Sequence, residues 1–148
     1  FGNMQTESGI NPGIWEDLNE GNLNGGFGLT QWTPASKYLD WANERGLDYT
    51  QMDSNLMRIE WEVAEHEQWI STSAYPMSFE EFKTSEADPY TLGMTFLYNY
   101  ERPTDLNQPF RGTQAQEWYK YLSGVDPPDP PGQLHKMPFY FYLKRRYI

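Results

Sequence analysis

The sequence contains no cysteine and only two histidines, His66 and His135, in 148 residues. The lack of cysteine excludes a disulfide framework, a cysteine-ligated zinc ion and a thiol nucleophile. Two histidines so far apart along the chain do not indicate a histidine metal site. No apolar run approaches the roughly 20 residues that are needed to cross a bilayer. We therefore expect no metal centre and no membrane span.

Positive charge is scarce outside the last 13 residues. Residues 1–135 carry 7 basic and 21 acidic side chains, a net charge of -14, whereas residues 136–148 carry a net charge of +4. The acidic body would repel a phosphate backbone, so we expect no nucleic acid partner. The 25 aromatic residues suit sugars, whose ring faces are apolar. Aromatic residues also pack ordinary protein cores, and composition alone does not decide between the two roles.

Turn and capping signals predict a mainly α domain over residues 1–124. Six glycines between positions 9 and 28 predict a loop region or a small β-hairpin. Five helices are predicted after this loop, starting at Thr33-Pro34, Asp53, Ser78, Asp88-Pro89 and Thr113. Their expected stops include Gly46, Pro103 and Gly124. A Pro-rich linker, residues 125–135, and an extended aromatic-basic tail, residues 136–148, follow this domain.

The most informative pattern is Glu7-Ser8 at a predicted helix end, followed by a glycine-rich run from Gly25 to Trp32. Cleavage of a glycosidic bond needs an acid that protonates the leaving oxygen, and desolvation raises the pKa of a carboxyl group for this task. A glycine-rich turn allows the backbone to approach a sugar closely. Glu7 is therefore the candidate general acid.

These residues resemble, in order, three motifs of goose-type lysozymes and soluble lytic transglycosylases: Glu7-Ser8, Gly25 to Gln31, and Tyr98-Asn99. Longer stretches, from Gly2 to Gly13 and from Gly26 to Thr33, resemble the lysozyme domain of phage tail-tip lysins. The resemblance covers roughly residues 1–124. It implies a lysozyme-like, mainly α fold whose first helix begins upstream of Phe1. One departure is Tyr100-Glu101, which stands where transglycosylases have Ala-Gly.

The resemblance also implies an activity and a set of site residues. Glu7 would act as catalytic acid and base on the β-1,4 bond between N-acetylmuramic acid and N-acetylglucosamine in peptidoglycan. The residues expected to contact or support the substrate are Ser8, Gly28, Leu29, Gln31, Trp32 and Tyr98. Tyr98 would lie beside the anomeric carbon, and Ser8 would support either the sugar or the Glu7 carboxyl. No metal or organic cofactor is implied.

The fate of the anomeric carbon depends on a second carboxylate. Inverting hydrolysis needs one roughly 6.5 to 9.5 Å from the acid, with a water molecule between the two. Asp17 and Glu20 are the candidates for positioning this water, and Glu16 and Glu101 are the other nearby acids. If all of them face solvent, the muramic acid 6-hydroxyl would attack instead and the product would be a 1,6-anhydro sugar.

The resemblance implies that the partners are peptidoglycan glycan strands, other phage tail proteins and further domains of the same chain. It places the protein at the tail tip of a virion, where it would act on the bacterial cell wall. One alternative is a non-catalytic wall-binding or structural tail component that keeps the lysozyme fold. Another is a wall-remodelling enzyme encoded by a cell as part of a conjugation system.

Overall fold

The protein is described by a computed structural model that covers residues 1–66 and 68–124. Within these ranges the chain forms six α-helices, Gly2–Ser8 (α1), Ser36–Glu44 (α2), Met52–His66 (α3), Phe79–Thr84 (α4), Pro89–Phe96 (α5) and Phe110–Ser123 (α6). A 3₁₀ turn, Glu16–Leu18, lies in the loop after α1, and a π-helical turn, Leu97–Glu101, continues α5. The predicted mainly α class is confirmed. The predicted linker and tail lie outside the described residues.

Two of the predicted helix starts are confirmed in detail. The Ser78 hydroxyl accepts a bond from the Glu81 backbone N–H at 3.2 Å, and the Glu81 carboxylate accepts one from the Ser78 N–H at 2.8 Å. This reciprocal capping box opens α4. The Asp88 carboxylate caps α5 by accepting the Thr91 N–H at 3.0 Å, with Pro89 at the first helical position.

Three other helix starts differ from the prediction. α2 begins at Ser36 rather than Pro34, because the Ala35 N–H is held by the Gly25 carbonyl at 2.7 Å and the backbone there belongs to the loop. α3 begins one residue before Asp53. α6 begins at Phe110, before Thr113, because Pro109 already has a helical backbone conformation that lets the first turn form there.

The glycine-rich region is a loop rather than a hairpin. The described residues contain only isolated bridges here, pairing Phe27 with Trp15 and with Trp32. The loop is nevertheless well packed, since the side chains of Phe27 and Leu29 are fully buried. They belong to an aromatic core in which the Phe27 ring lies 5.9 Å from Tyr38 and 4.8 Å from Trp15.

Helix α6 packs against both α1 and α5. The backbones of α1 and α6 approach so closely that position 2 must be glycine. A Cβ atom added at Gly2 would lie 2.5 Å from the Arg111 carbonyl oxygen, which is a severe clash with backbone. At the other end of α1, the Glu7 side chain pairs with that of Arg111. None of the described helices is long and apolar enough to span a membrane.

Candidate active site

Glu7 lies in the last turn of α1, which ends because Gly9 adopts a left-handed conformation with φ 58°. The Gly9 and Ile10 N–H groups close the helix end by bonding to the carbonyls of Gln5 and Met4. The Glu7 side chain is 23% exposed, and its Oε1 atom accepts a hydrogen bond from Arg111 Nη2 in an ion pair. Glu7 is thus a partly buried carboxylate that still reaches solvent.

The Glu7 side chain lines a cleft of about 530 Å³, a volume typical of small-molecule sites. The residues that line this cleft are Glu7, Ile14, Trp15, Glu16, Asp17, Leu18, Gln31 and Thr33. Two of the predicted substrate or water residues, Gln31 and Asp17, therefore share the cleft with Glu7. The Gln31 amide donates to the Gly28 carbonyl at 3.0 Å, which fixes the turn of the glycine-rich loop.

Ser8 fastens α1 to the glycine-rich loop. It is buried, and its hydroxyl lies 2.9 Å from the Met4 carbonyl and 3.1 Å from the Leu29 carbonyl. Leu29 is anchored from the other side, where its N–H donates to Asn55 Oδ1 at 2.9 Å. Ser8 therefore holds the backbone beside Glu7, and its contact with the sugar or with the Glu7 carboxyl stays a prediction.

Trp32 has little surface left for a sugar. Its ring stacks on Tyr38 at 4.5 Å, and its indole N–H donates to Glu62 Oε2 at 3.0 Å, so that only 7% of the residue is exposed. The tryptophan that lines the cleft is Trp15. The sequence predicted Trp32 for this role, because the contacts with Tyr38 and Glu62 that bury it exist only in the folded chain.

The Tyr98-Asn99 pair lies in the π-helical turn and holds a neighbouring segment. Asn99 is fully buried, donates to the Tyr75 carbonyl at 2.9 Å and accepts the Thr72 N–H at 3.1 Å. The Tyr98 ring lies 4.9 Å from the Tyr75 ring. Tyr98 is not among the residues that line the Glu7 cleft.

The candidate water-positioning acids have separate environments. Asp17 is exposed and lines the cleft. Glu16 also lines it, but its Oε2 atom accepts the Gly26 N–H at 2.8 Å and so supports the loop. Glu20 is exposed on the same loop and does not line the cleft. Asp17 is the one of these three acids that the structure leaves available beside Glu7.

Arg111 and Glu101 lie near Glu7 but do not line the cleft. The sequence indicated Glu101 only as a nearby acid, and no motif indicated Arg111. Arg111 is buried and donates to Gln108 Oε1 at 2.6 Å and to Asn3 Oδ1 at 3.3 Å, besides Glu7. The pKa of Glu101 is raised to about 8, first by burial and second by the charge of Glu7, while the charge of Arg111 opposes the shift. The local sequence carries no signal for this cluster, because Glu7 and Arg111 are 104 residues apart.

No group of three or more histidine, aspartate or glutamate side chains in the described ranges has an arrangement that could hold a metal ion. Two of the acids near the cleft are engaged by protein donors, Glu7 by Arg111 and Glu16 by the Gly26 N–H.

Comparison with known proteins decides the family. The sequence profile of phage tail lysozymes matches residues 1–122. The chain belongs to the phage tail lysozyme family. A similar protein is morphogenesis protein 1 of Bacillus phage B103, which is 58% identical to this chain over 124 residues, or 84% of the chain. The chain spans only 33% of that relative's length.

Membership of the phage tail lysozyme family confirms the resemblance that the sequence motifs indicated. The matched residues contain both α1 with Glu7 and α6 with Arg111, so the cleft lies wholly inside the family's domain. The domain is lysozyme-like and derives from a phage protein.

Proposed function

We propose that this domain is a muramidase that cleaves the β-1,4 bond between N-acetylmuramic acid and N-acetylglucosamine, with Glu7 as the general acid. The observation that supports it is the position of Glu7 in a phage tail lysozyme domain, partly buried and open to a cleft. Glu7 protonates the leaving oxygen as the bond breaks through an oxocarbenium-like state. Trp15 and Gln31 lie along the same cleft, where they contact the sugars.

Two outcomes at the anomeric carbon follow from the acids of the cleft. If Asp17 orients a water molecule on the far side of the sugar ring, the product is a reducing end. If no carboxylate does so, the muramic acid 6-hydroxyl attacks and gives the anhydro sugar. Asp17 lines the cleft and is exposed to solvent, which favours hydrolysis.

The biological setting belongs to the same proposal. Residues 1–124 form the catalytic domain, the Pro-rich linker separates it from the aromatic-basic tail, and the protein sits at the tail tip of the virion. There it opens peptidoglycan locally during genome entry, in contact with other tail proteins or further domains of its own chain. The family description and the phage origin of the relative support this setting.

The test is a digest of purified Gram-positive cell wall by the unaltered protein, Glu7→Gln and Glu117→Gln, with the fragments analysed by mass spectrometry. Glu7→Gln keeps the shape of the side chain but not its proton, so we expect cleavage to fall roughly 10²- to 10⁴-fold while wall binding persists. Glu117 is exposed on α6, and its replacement is the matched control.

The same spectra separate reducing ends from anhydro ends, which are lighter by one water. If the unaltered protein and Glu7→Gln both bind the wall and neither releases fragments, the muramidase proposal fails. The non-catalytic wall-binding component then takes its place. If Glu7→Gln cleaves as fast as the unaltered protein, the assignment of Glu7 as the acid is wrong.

A further inference from the structure

Leu18 is the last residue of the 3₁₀ turn Glu16–Leu18, and it lines the same cleft as Glu7. Of the large apolar side chains that the structure describes, it is the most exposed, at 80%. Single exposed leucines are common on protein surfaces. One that lines a cleft differs from these, because a ligand in the cleft can cover it. Packing inside the domain does not account for Leu18, whereas contact with a ligand would.

The backbone conformation of this turn is also unusual. Asp17 has φ 53° and Leu18 has φ 56°, so two successive residues other than glycine are left-handed. Aspartate and asparagine tolerate this conformation, but a bulky side chain such as leucine rarely adopts it. Residues held in such conformations are concentrated at ligand sites. The backbone alone therefore gives no reason for a leucine at position 18.

Hydrogen bonds fix the turn to the glycine-rich loop. The Glu16 N–H donates to the Gly26 carbonyl at 2.9 Å, and the Gly26 N–H donates to the Glu16 carboxylate at 2.8 Å. The Leu18 N–H donates to the Trp15 carbonyl at 3.0 Å, and the Trp15 ring lies 4.8 Å from that of Phe27. Leu18 is thus held at the cleft by a fixed support, which lowers the entropic cost of binding a ligand.

The other groups of the cleft leave one kind of ligand atom unmatched. Trp15 supplies an aromatic ring for a sugar face, and Gln31 and Asp17 supply polar atoms for hydroxyl groups. Two aliphatic side chains line the cleft, and of these Ile14 is half-buried while Leu18 is exposed. An aliphatic side chain matches a methyl group best, because both surfaces leave water when they meet.

We propose that Leu18 packs against the methyl group of a sugar acetamido group and so favours N-acetylated glycan strands. This inference rests on the proposed muramidase function and names a substrate feature that the same cleft would recognise. Both sugars of the strand carry an acetamido group, whereas only the muramic acid carries a lactyl ether. An acetamido methyl group is therefore available to Leu18 whichever sugar lies beside it.

The test uses four proteins that all carry Glu7→Gln, so that no ligand is cleaved during the measurement. They are the parent, Leu18→Asn, Leu18→Met and Leu23→Asn. Asparagine accepts the left-handed conformation and removes the apolar contact, so the fold should keep its Tm. Methionine keeps an apolar side chain. Leu23→Asn is the matched control, because Leu23 is 51% exposed on the same loop and does not line the cleft.

Binding is measured by calorimetry with a hexamer of N-acetylglucosamine and with the same hexamer after chemical removal of its acetyl groups. For the N-acetylated hexamer, Leu18→Asn should raise Kd about tenfold, the lower end of the range for one lost methyl-sized contact. Leu18→Met should recover most of that affinity, and Leu23→Asn should match the parent. For the deacetylated hexamer, Leu18→Asn should bind as the parent does. The positive charge of this ligand acts equally on all four proteins, because their charges are the same.

Three results would overturn the proposal. One is an equal Kd of Leu18→Asn and its parent for the N-acetylated hexamer, and another is a parent that binds neither hexamer. The third is an equal loss of affinity for both hexamers, because Leu18 would then contact the sugar ring. The muramidase function is tested separately by the wall digest. If the expected changes in Kd occur in a protein that releases no wall fragments, the Leu18 contact stands and the muramidase function fails.

Discussion

Replacing Arg111 by methionine should lower the stability of the domain by about 3 kcal/mol. The side chain of Arg111 is 4% exposed and joins Glu7, Asn3 and Gln108. Methionine fills much of the buried volume but leaves these three acceptors without their donor. Loss of the bond to the Glu7 carboxylate costs about 1.5 to 3 kcal/mol, and each neutral acceptor adds about 1 kcal/mol or more. Because Glu7 is partly exposed and can regain some water, its share falls at or below the lower end of its range, which gives a total of about 3 kcal/mol.

The measurement is thermal unfolding followed by circular dichroism at neutral pH. A loss of about 3 kcal/mol corresponds to a fall in Tm of about 10 °C for a domain of this size. The control is Lys120→Met, because Lys120 is exposed on the same helix, α6. Replacing an exposed residue of this kind changes stability by about 0.5 kcal/mol or less.

A double-mutant cycle then isolates the contact itself. In Glu7→Gln with Arg111→Met, no ionised carboxylate is left without a partner, so the double variant should be more stable than the sum of the single losses predicts. We expect a coupling of about 1.5 kcal/mol or more. If Arg111→Met loses less than about 1 kcal/mol, or if the two losses simply add, the ion pair does not stabilise the end of α1 and the reasoning fails.

Two further changes test the loop and the buried acid. Gly28 has φ 79°, and a Cβ atom there would lie 2.6 Å from Asn55 Oδ1. Gly28→Ala should therefore lower the free energy of unfolding in urea by about 1 to 3 kcal/mol. An unchanged urea midpoint would contradict the need for glycine at this position. The pKa of Glu101 is raised to about 8 in the folded state, so its folded form binds more protons between about pH 4.5 and 8. The unfolding free energy should therefore fall as pH rises through that window, by up to about 1.4 kcal/mol per unit, and Glu101→Gln should flatten the slope; equal slopes in both proteins would refute the burial of the acid.

The sequence predicted those features that local chemistry determines. The capping box at Ser78 and the Asp88-Pro89 start need only residues within one helical turn, and both are present. The glycine-rich run predicted a loop, because positive φ at positions such as Gly28 is a property of the residue itself. Where the prediction of a helix start was wrong, as at Pro34, a distant carbonyl held the backbone in the loop.

The features that could not be predicted depend on contacts across the chain. Arg111 reaches Glu7 over 104 residues, and nothing within one turn of either residue indicates the other. The choice of Trp15 over Trp32 as the cleft tryptophan depends on which ring stacks against Tyr38 and meets Glu62. Two tryptophans of the same loop region thus differ once the core is packed, because Trp15 lines the cleft and Trp32 is buried.

The same contacts explain why so much of the motif is structural. A general acid needs a fixed relation to the bond that it protonates, because small displacements in such sites cost large factors in rate. Ser8 provides that relation by tying the helix end to the Leu29 carbonyl, and Asn55 holds the Leu29 N–H from the opposite side. The loop beside the cleft is therefore held by buried hydrogen bonds to both backbone groups of Leu29, while the Glu7 carboxyl remains a partly exposed group next to it. A motif of this kind encodes the position of the acid as much as the acid itself.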